Sequence, residues 1–233
     1  MTEWLGQNGE DRIIAAYLAE HHPTLVGRVL DIGAHDGWSL SNTARLLERG
    51  WGGTLVEASP RPLAKLIDRW GDREDIEIVG ACVVTDAQYR DGGCGLVEFY
   101  DDAGAACHGG EAYLGTTEAA NVAKWTPHTK FRRVQLASVT CSDVLYARLN
   151  AAGLTRSAPW GMWSIDVEGT SVEILRDLSA ALWSYLAAGA ESSVPAVVVV
   201  EHDDLHAQIA EWCATYGYRV LECNAENVIA VRA

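Results

Sequence analysis

Acidic side chains and one histidine follow the predicted strands of this chain, at the points where those strands end. Asp31, Glu57 and Asp166 each end a short apolar run, and Glu201 and His202 end a run of valines. In a sheet of parallel strands, ligands bind beyond the carboxyl ends of the strands, so we expect these side chains to surround one site. Carboxylates at such a site can accept hydrogen bonds from hydroxyl groups, hold a divalent cation or take up a proton.

The stretch DIGAHDGWSLSN, from Asp31 to Asn42, has the composition of a nucleotide-binding loop but lacks two familiar patterns. Gly33 and Gly37 have no glycine between them, unlike the G-x-G-x-x-G loop that approaches a pyrophosphate. The loop also lacks the lysine that binds phosphates in a P-loop. These features favour a ligand that contains a ribose but no pyrophosphate.

Glu57 follows Gly33 by 24 residues and ends the second predicted strand. A carboxylate at this position can accept hydrogen bonds from both hydroxyl groups of a ribose. S-adenosylmethionine (SAM) has a ribose and no pyrophosphate, so it fits both features. The residues predicted to bind it are Asp31, Gly33, Ala34, His35, Gly37, Asn42, Glu57, Ala58, Ala81, Cys82 and Asp166.

Methyl transfer to a hydroxyl group requires a base or a metal ion that helps the acceptor lose its proton. His202 and Asp166 are the candidate catalytic residues, since they end adjacent strands and an imidazole titrates near neutral pH. A second hypothesis assigns Asp166, Glu201 and His202 to Mg²⁺ or another divalent cation, although no local spacing requires a metal. His202 could equally be a packed histidine bonded to the backbone, and His35 could point away from the ligand.

The order of predicted elements indicates an α/β fold. Short apolar runs alternate with segments of helical periodicity, which is typical of a doubly wound parallel sheet. Strands are predicted at 28–32, 53–58, 76–84, 96–100, 134–139, 161–167 and 196–200, and helices at 10–20, 38–49, 60–70, 142–149, from 170 and at 205–216. The valines of the last of these strands suit a central strand that is covered on both faces. Residues 218–222 and 228–232 are predicted to form an antiparallel hairpin.

Residues 100–130 interrupt this alternation with an irregular segment that contains several glycines. Long irregular insertions in compact domains are usually functional loops, so we expect this one to cover the substrate. A variable surface loop without ligand contact is the alternative.

Composition disfavours several classes of protein. The net charge of −14 argues against nucleic-acid binding, which depends on clustered Lys and Arg, and favours a small neutral or cationic partner. Six cysteines without a C-x-x-C pair indicate reduced thiols rather than a disulfide framework or a zinc site. The N-terminus is polar, and no apolar run reaches the roughly 20 residues that cross a membrane, so we expect a single cytoplasmic domain over 1–233.

Four segments in a fixed order resemble the FkbM family of SAM-dependent methyltransferases: VLDIGAHDGWSLSNT, GWGGTLVEASPRPLAKL, WSIDVEGTSVEILRDL and VVVVEHDD. GQNGEDR near the start and LVEFY after the third strand extend the resemblance. It implies a class I (Rossmann-like) fold, with a mostly parallel seven-stranded sheet and an antiparallel C-terminal strand. It also implies O-methylation of a hydroxyl group on a small metabolite or sugar. The chain departs from the family pattern at Ala58, Asp203, Asn224 and Glu226, which bear on substrate contacts more than on the cofactor.

Two other functions stay open at this point. A nicotinamide-dependent oxidoreductase would use a related fold, but the missing middle glycine disfavours it. A cofactor-binding relative without catalytic activity is compatible with the altered final hairpin.

Overall fold

The computed structural model describes residues 4–92, 95–103, 114–145, 160–187 and 194–233. The strands in chain order are β1 (Arg28–Ile32), β2 (Gly52–Val56), β3 (Ile76–Val79), β4 (Cys82–Val84), β5 (Leu96–Asp102), β6 (Phe131–Thr140), β7 (Trp160–Ile165), β8 (Val197–Glu201), β9 (Tyr218–Cys223) and β10 (Asn227–Arg232). The helices are α1 (Glu10–His21), α2 (Ala44–Glu48), α3 (Pro60–Trp70), α4 (Asp86–Gly92), α5 (Ala119–Trp125), α6 (described over 141–145), α7 (Ser171–Ala187) and α8 (His206–Tyr216). The remainder of the predicted helix 142–149 lies outside the described residues.

Seven strands form the main sheet in the order β3-β2-β1-β7-β8-β10-β9. β1 pairs in parallel with β2 and β7, and β10 runs antiparallel to both β8 and β9. The predicted α/β fold, with a mostly parallel seven-stranded sheet and an antiparallel C-terminal strand, is confirmed. Because the chain first builds outward from β1 to β3 and then returns to the other side of β1, the strand order reverses between β1 and β7. Ligand sites of open α/β sheets lie at such a reversal.

The valines of β8 explain its central position. Val198 and Val200 pack into the core under α7 and α8, whereas Val197 and Val199 pack into the core on the opposite face, under α1 to α3. All four are essentially inaccessible to solvent. Since alternate residues of a strand point to opposite faces, a continuous run of valines requires helices on both sides.

The predicted strand at 76–84 is two strands in the structure. β3 ends at Val79, and β4 begins at Cys82, which pairs with Ser138 of β6 in a smaller sheet of order β4-β6-β5. Gly80 lies at the break, where a Cβ would approach Leu63 Cδ2 to 2.7 Å. The apolar run is continuous, but the chain changes sheets within it.

The predicted helix at 38–49 is helical only over α2. The Asp36 carboxylate accepts hydrogen bonds from the backbone N–H groups of Trp38 and Ser39, which holds this part of the chain in a turn. Leu40 has a left-handed φ of +59°, and Ser41 Oγ then accepts the Ala44 N–H at 3.0 Å, at the start of the helix. Side chains of this kind offer the backbone an alternative to helical hydrogen bonds.

The described cysteines agree with the prediction of reduced thiols. Cys82, Cys141 and Cys213 are buried, Cys223 is exposed, and all four are free. Cys94 and Cys107 lie outside the described residues. Within the described ranges, no helix has both the length and the apolar character needed to cross a bilayer.

Gly37 combines a left-handed backbone with close packing. Its φ is +69°, and a Cβ added there would lie 2.5 Å from Leu66 Cδ1 and 2.7 Å from the Trp70 ring. We expect Gly37→Ala to lower the free energy of unfolding by about 2–5 kcal/mol, because backbone strain costs about 1–2 kcal/mol and overpacking costs about 1–3 kcal/mol. Urea denaturation followed by tryptophan fluorescence measures this loss.

Gly50→Ala is the matched control, because Gly50 has a φ of +89° but no atom within 4 Å of an added Cβ. This variant should lose only the roughly 1–2 kcal/mol of backbone strain. Equal losses in the two variants would contradict a packing role for Gly37.

Candidate functional site

A cavity of about 500 Å³ opens at the carboxyl ends of the parallel strands, where their order reverses. All but one of the predicted cofactor-binding residues line this cavity. Those that do are Asp31, Gly33, Ala34, His35, Asn42, Glu57, Ala58, Ala81, Cys82 and Asp166. Glu201 and His202 line the same cavity. The exception is Gly37, whose carbonyl accepts a hydrogen bond from Trp70 Nε1 at 3.0 Å beneath the loop. The structure therefore brings the strand-end residues together and gives Gly37 a packing position.

Gly33 places the loop that follows β1 directly against the end of β7. Its φ is +84°, and a Cβ built on it would lie 1.7 Å from the carbonyl oxygen of Asp166. The N–H groups of Gly33 and Ala34 both donate to the carbonyl of Val56 at 3.0 Å, which ties the loop to β2. No side chain fits at position 33, so backbone atoms form this part of the cavity wall.

Glu57 lies just beyond β2, with its carboxylate held by two backbone N–H groups. His35 N–H donates to Oε2 at 2.8 Å, and Ser59 N–H donates to Oε1 at 2.6 Å. Burial raises the pKa of Glu57, and these two hydrogen bonds oppose that shift. A carboxylate oxygen can accept more than one hydrogen bond, and Glu57 lines the cavity, so it can also accept hydrogen bonds from the hydroxyl groups of a ligand.

His35 lines the cavity and also makes contacts within its own loop. Its φ is +52°, and its Nδ1 lies 3.5 Å from Asp36 Oδ1. This imidazole therefore pairs with a residue of its own loop, while the backbone N–H of His35 orients Glu57.

Asp31 is buried at the end of β1, where Thr43 Oγ1 donates to its Oδ2. Burial raises the pKa of Asp31 to about 7; the Thr43 hydrogen bond opposes the shift, and the charges of Asp166 and Glu57 reinforce it. Asp31 thus titrates near neutral pH on the floor of the cavity.

Three carboxyl groups, from Asp166, Glu168 and Glu201, have oxygen atoms within 4.8 Å of one another. Solvent in the cavity reaches Asp166, yet the surrounding protein and the neighbouring acids raise its pKa. Burial, followed by the charge of neighbouring acids, raises the pKa of Glu168 to about 8 and that of Glu201 to about 11. Glu201 is therefore protonated at neutral pH and donates a hydrogen bond to Asp166.

This group of carboxyls differs from the predicted metal site in one member. Asp166 and Glu201 lie together as the hypothesis required, but Glu168 is the third residue of the group, in the place given to His202. Carboxylate oxygens are the donors that Mg²⁺ prefers, so the chemistry of the donor set fits a hard divalent cation.

His202 is held by backbone groups. Its Nδ1 accepts the Asp204 N–H at 3.1 Å, so the proton of the neutral ring lies on Nε2, which faces the Asn224 carbonyl at 3.4 Å. The ring also stacks 4.1 Å from that of His206. In this arrangement neither nitrogen has a lone pair with which to accept a proton. The geometry matches the packed-histidine alternative rather than the predicted base.

The described parts of the segment 100–130 reach the cavity. Five residues of its C-terminal half line it: Leu114, Gly115, Thr117, Lys124 and Trp125. Thr116 Oγ1 donates to the carbonyl of Glu168 at 2.7 Å, and Gly169, with a φ of +112°, packs against Asn121. These contacts dock α5 on the loop after β7, and the role of a cover over the substrate stays a prediction. Residues 104–113 of the segment lie outside the described residues.

The sequence did not identify Gln7, Lys124, Trp125 or Ser164 as residues of the site, although all four line the cavity. Ser164 carried a usable signal, because it lies two residues before Asp166 and so shares its face of the strand. It accepts a hydrogen bond from Asn42 Nδ2 at 3.4 Å. Gln7 and α5 gave no such signal, because only the tertiary fold brings them to the cavity.

No protein-family model matches the chain, and no curated protein matches it. The FkbM resemblance therefore stays a prediction. Among solved structures, the chain is similar to one from a fibrillarin/Nop5p complex (TM-score 0.41, 13% identity, 96% of this chain and 83% of that one). It is also similar to precorrin-6y C5,15-methyltransferase from Geobacter metallireducens (TM-score 0.44, 12% identity, 95% and 88%) and to mitomycin 7-O-methyltransferase (TM-score 0.36, 15% identity, 96% and 53%). TM-scores and identities this low carry no conclusion about function, which has to come from the chain's own residues.

Glu201 makes the stability of the folded protein depend on pH. The folded state keeps a proton on this group up to a pH of about 11, whereas an unperturbed glutamate loses it near 4.5. Because the folded state binds more protons between these values, the free energy of unfolding falls as pH rises, by at most about 1.4 kcal/mol per pH unit for one proton. We expect Glu201→Gln, a neutral copy of the protonated acid, to show a smaller fall between about pH 6 and pH 9 in urea denaturation.

Glu211→Gln is the control, because the Glu211 side chain is 76% exposed. Its pH dependence should equal that of the wild type. If Glu201→Gln also loses stability as steeply as the wild type, Glu201 is ionised in the folded protein at neutral pH.

Proposed function

We propose that this protein is a SAM-dependent methyltransferase. The observation that supports this most is the geometry at Glu57, which lines the cavity with each of its two oxygens held by a backbone N–H group. Two adjacent ribose hydroxyl groups are a natural partner for such a carboxylate. The close backbone turn at Gly33 leaves room beside it for the rest of the cofactor.

The charge of the cavity lining favours a cationic cofactor. The acidic residues of the lining are Asp31, Glu57, Asp166, Glu168, Glu201, Asp203, Asp204 and Glu226, and Lys124 is the one lysine or arginine among the described lining residues. SAM carries a positive sulfonium and an ammonium group, whereas a nicotinamide dinucleotide carries a negative pyrophosphate. Those of these acids that stay ionised attract the first and repel the second, which disfavours the oxidoreductase alternative.

Asp166 is the base of the proposed reaction. Because the methyl group of SAM is already activated, the protein mainly has to align the acceptor oxygen with it and exclude water. Asp166 reaches the solvent of the cavity at the end of β7 and accepts a hydrogen bond from protonated Glu201. Its carboxylate can take the proton of an acceptor hydroxyl as the oxygen attacks the methyl carbon.

The proposed acceptor is a hydroxyl group on a small metabolite or sugar, as the FkbM resemblance implies. Lys124 and Trp125 of α5 form the side of the cavity on which an acceptor can enter beneath the cover. We propose further that residues 1–233 form one methyltransferase domain.

Cofactor binding is the first test. Isothermal titration calorimetry should show that the wild type binds S-adenosylhomocysteine (SAH) and does not bind NAD. Glu57→Gln should weaken SAH binding by about 10- to 100-fold, the range for a lost hydrogen bond to a charged group. Glu74→Gln, at an exposed position, should bind like the wild type. A wild type that does not bind SAH, or that binds NAD more tightly, would refute the proposal.

The base is tested by methyl transfer from labelled SAM to a panel of hydroxyl-bearing metabolites. Asp166→Asn should lower kcat by about 10²- to 10⁴-fold, the usual contribution of a general base. His202→Asn should keep most of the activity, because its amide oxygen can accept the Asp204 N–H in place of Nδ1. If His202→Asn loses activity to the same extent as Asp166→Asn, histidine is the base after all.

The same assay addresses the divalent cation, which we keep as a proposal. Asp166, Glu168 and Glu201 are the residues that would hold it, and a bound ion would lower the pKa of the acceptor hydroxyl. Activity that EDTA abolishes and Mg²⁺ restores would support the ion, whereas full activity in EDTA would exclude it.

A further inference from the structure

Residues 4–9, which we call the strap, close one side of the cavity. Gln7 of the strap lines the cavity, and so does Leu40 of the loop that follows β1. Gly6 pairs with Leu40 in an isolated parallel bridge. The strap and the loop that follows β1 therefore form adjacent parts of the same cavity wall.

Glu10, the first residue of α1, holds the strap in place. Its side chain is fully buried, which is unusual for a carboxylate that takes no part in the proposed reaction. Its Oε2 accepts the Asn8 N–H at 2.8 Å. Gly6 lies so close that an added Cβ would be 2.9 Å from the same oxygen. The course of the strap past Gln7 is thus set by Glu10 on one side and Leu40 on the other.

The same carboxylate joins the strap to the hairpin of β9 and β10. Its Oε1 accepts hydrogen bonds from Asn224 Nδ2 at 2.8 Å and from Asn227 Nδ2 at 3.0 Å. Asn8 Nδ2 also donates to Glu226 at the tip of the hairpin. Burial raises the pKa of Glu10, but the hydrogen bonds that it accepts outweigh burial and leave the pKa below its ordinary value. Glu10 is therefore ionised, and it links two segments that are far apart in the chain.

The strap and Glu57 border opposite sides of the cavity. Glu57 follows β2, on one side of β1, whereas the strap reaches the hairpin that lies beyond β7 and β8 on the other side. A SAM molecule with its ribose on Glu57 extends from β2 toward the strap. The group that it brings there is its amino-acid end, which carries one carboxylate and one ammonium.

The carboxylate of that amino-acid end needs a hydrogen-bond donor. Lys124 is the one lysine or arginine among the described lining residues, and its charge already acts on Glu168 and Asp203, where it opposes part of the rise in pKa that burial causes. A neutral donor can serve the carboxylate instead. Gln7 offers an NH₂ group for the carboxylate and a carbonyl oxygen for the ammonium.

We infer that Gln7 contacts the amino-acid end of the cofactor and that Glu10 is the positioning residue that holds Gln7 there. This inference rests on the proposed function, because it assumes that SAM occupies the cavity. It gives the GQNGEDR segment a role in ligand binding that is separate from the strand-end residues.

The test compares two ligands that differ in the amino-acid end. SAH has it, and 5′-methylthioadenosine lacks it while keeping the adenine, the ribose and the sulfur. Gln7→Ala should weaken SAH binding by about tenfold, the effect of a lost hydrogen bond to a charged group, and leave 5′-methylthioadenosine binding unchanged. Gln135→Ala, exposed on β6, is the control and should bind both ligands like the wild type.

Glu10→Gln tests the positioning role. The glutamine keeps an acceptor oxygen for the two hairpin asparagines but turns an NH₂ group toward the Asn8 N–H, which releases the strap. SAH binding should weaken severalfold, again without an effect on 5′-methylthioadenosine. Glu20→Gln, also on α1 but with a side chain 77% exposed, should have no effect. If Glu10→Gln fails to fold, the result for Gln7→Ala alone decides.

The outcomes separate this inference from the proposed function. A wild type that does not bind SAH refutes the proposed function, and the inference with it. A wild type that binds SAH, with Gln7→Ala binding it equally well, refutes the inference alone. An equal loss of both ligands in Gln7→Ala also refutes it, because the strap would then only shape the cavity.

Discussion

The site depends on the close approach of Gly33 to the carbonyl of Asp166. This contact joins the ends of β1 and β7 where the strand order reverses, and an added Cβ would lie 1.7 Å from the carbonyl oxygen. Because the loop at Gly33 is also bonded to Val56, the ends of β2 and β7 are held at fixed positions on either side of it. Glu57 and Asp166 can then face one cavity from two sides, which is the arrangement that the proposed function uses.

This arrangement brings acidic side chains close together, which is electrostatically unfavourable. Acidic groups from several strand ends lie in one partly buried cavity, where burial first, and then the charges of neighbouring acids, raise the pKa values of Asp31, Glu168 and Glu201. Protonation of Glu201 relieves part of the repulsion at neutral pH. A cationic ligand would relieve more of it, which is consistent with the positively charged cofactor of the proposed function.

Two errors in the predicted elements have local causes. The helix expected from residue 38 begins six residues later, because the Asp36 carboxylate takes the N–H groups that would otherwise enter helical turns. The strand expected over 76–84 divides at Gly80, since the hydrophobic run alone does not indicate which sheet each half joins. His202 is a different case: its residue type suits a base, but in the structure its Nδ1 accepts the Asp204 N–H, a contact that the residue type does not indicate.

The sequence by itself determined the sheet and the set of strand-end residues. Parallel strands bring their carboxyl ends to one edge whatever the details of packing, so Asp31, Glu57 and Asp166 had to meet once the alternation of elements was recognised. Only the tertiary structure decided that Glu168 lies with Asp166 and Glu201, that Gly37 packs beneath the loop and that Gln7 reaches the cavity. These placements depend on side-chain direction and on contacts between segments far apart in the chain, and neither is encoded in the periodicity of a single element.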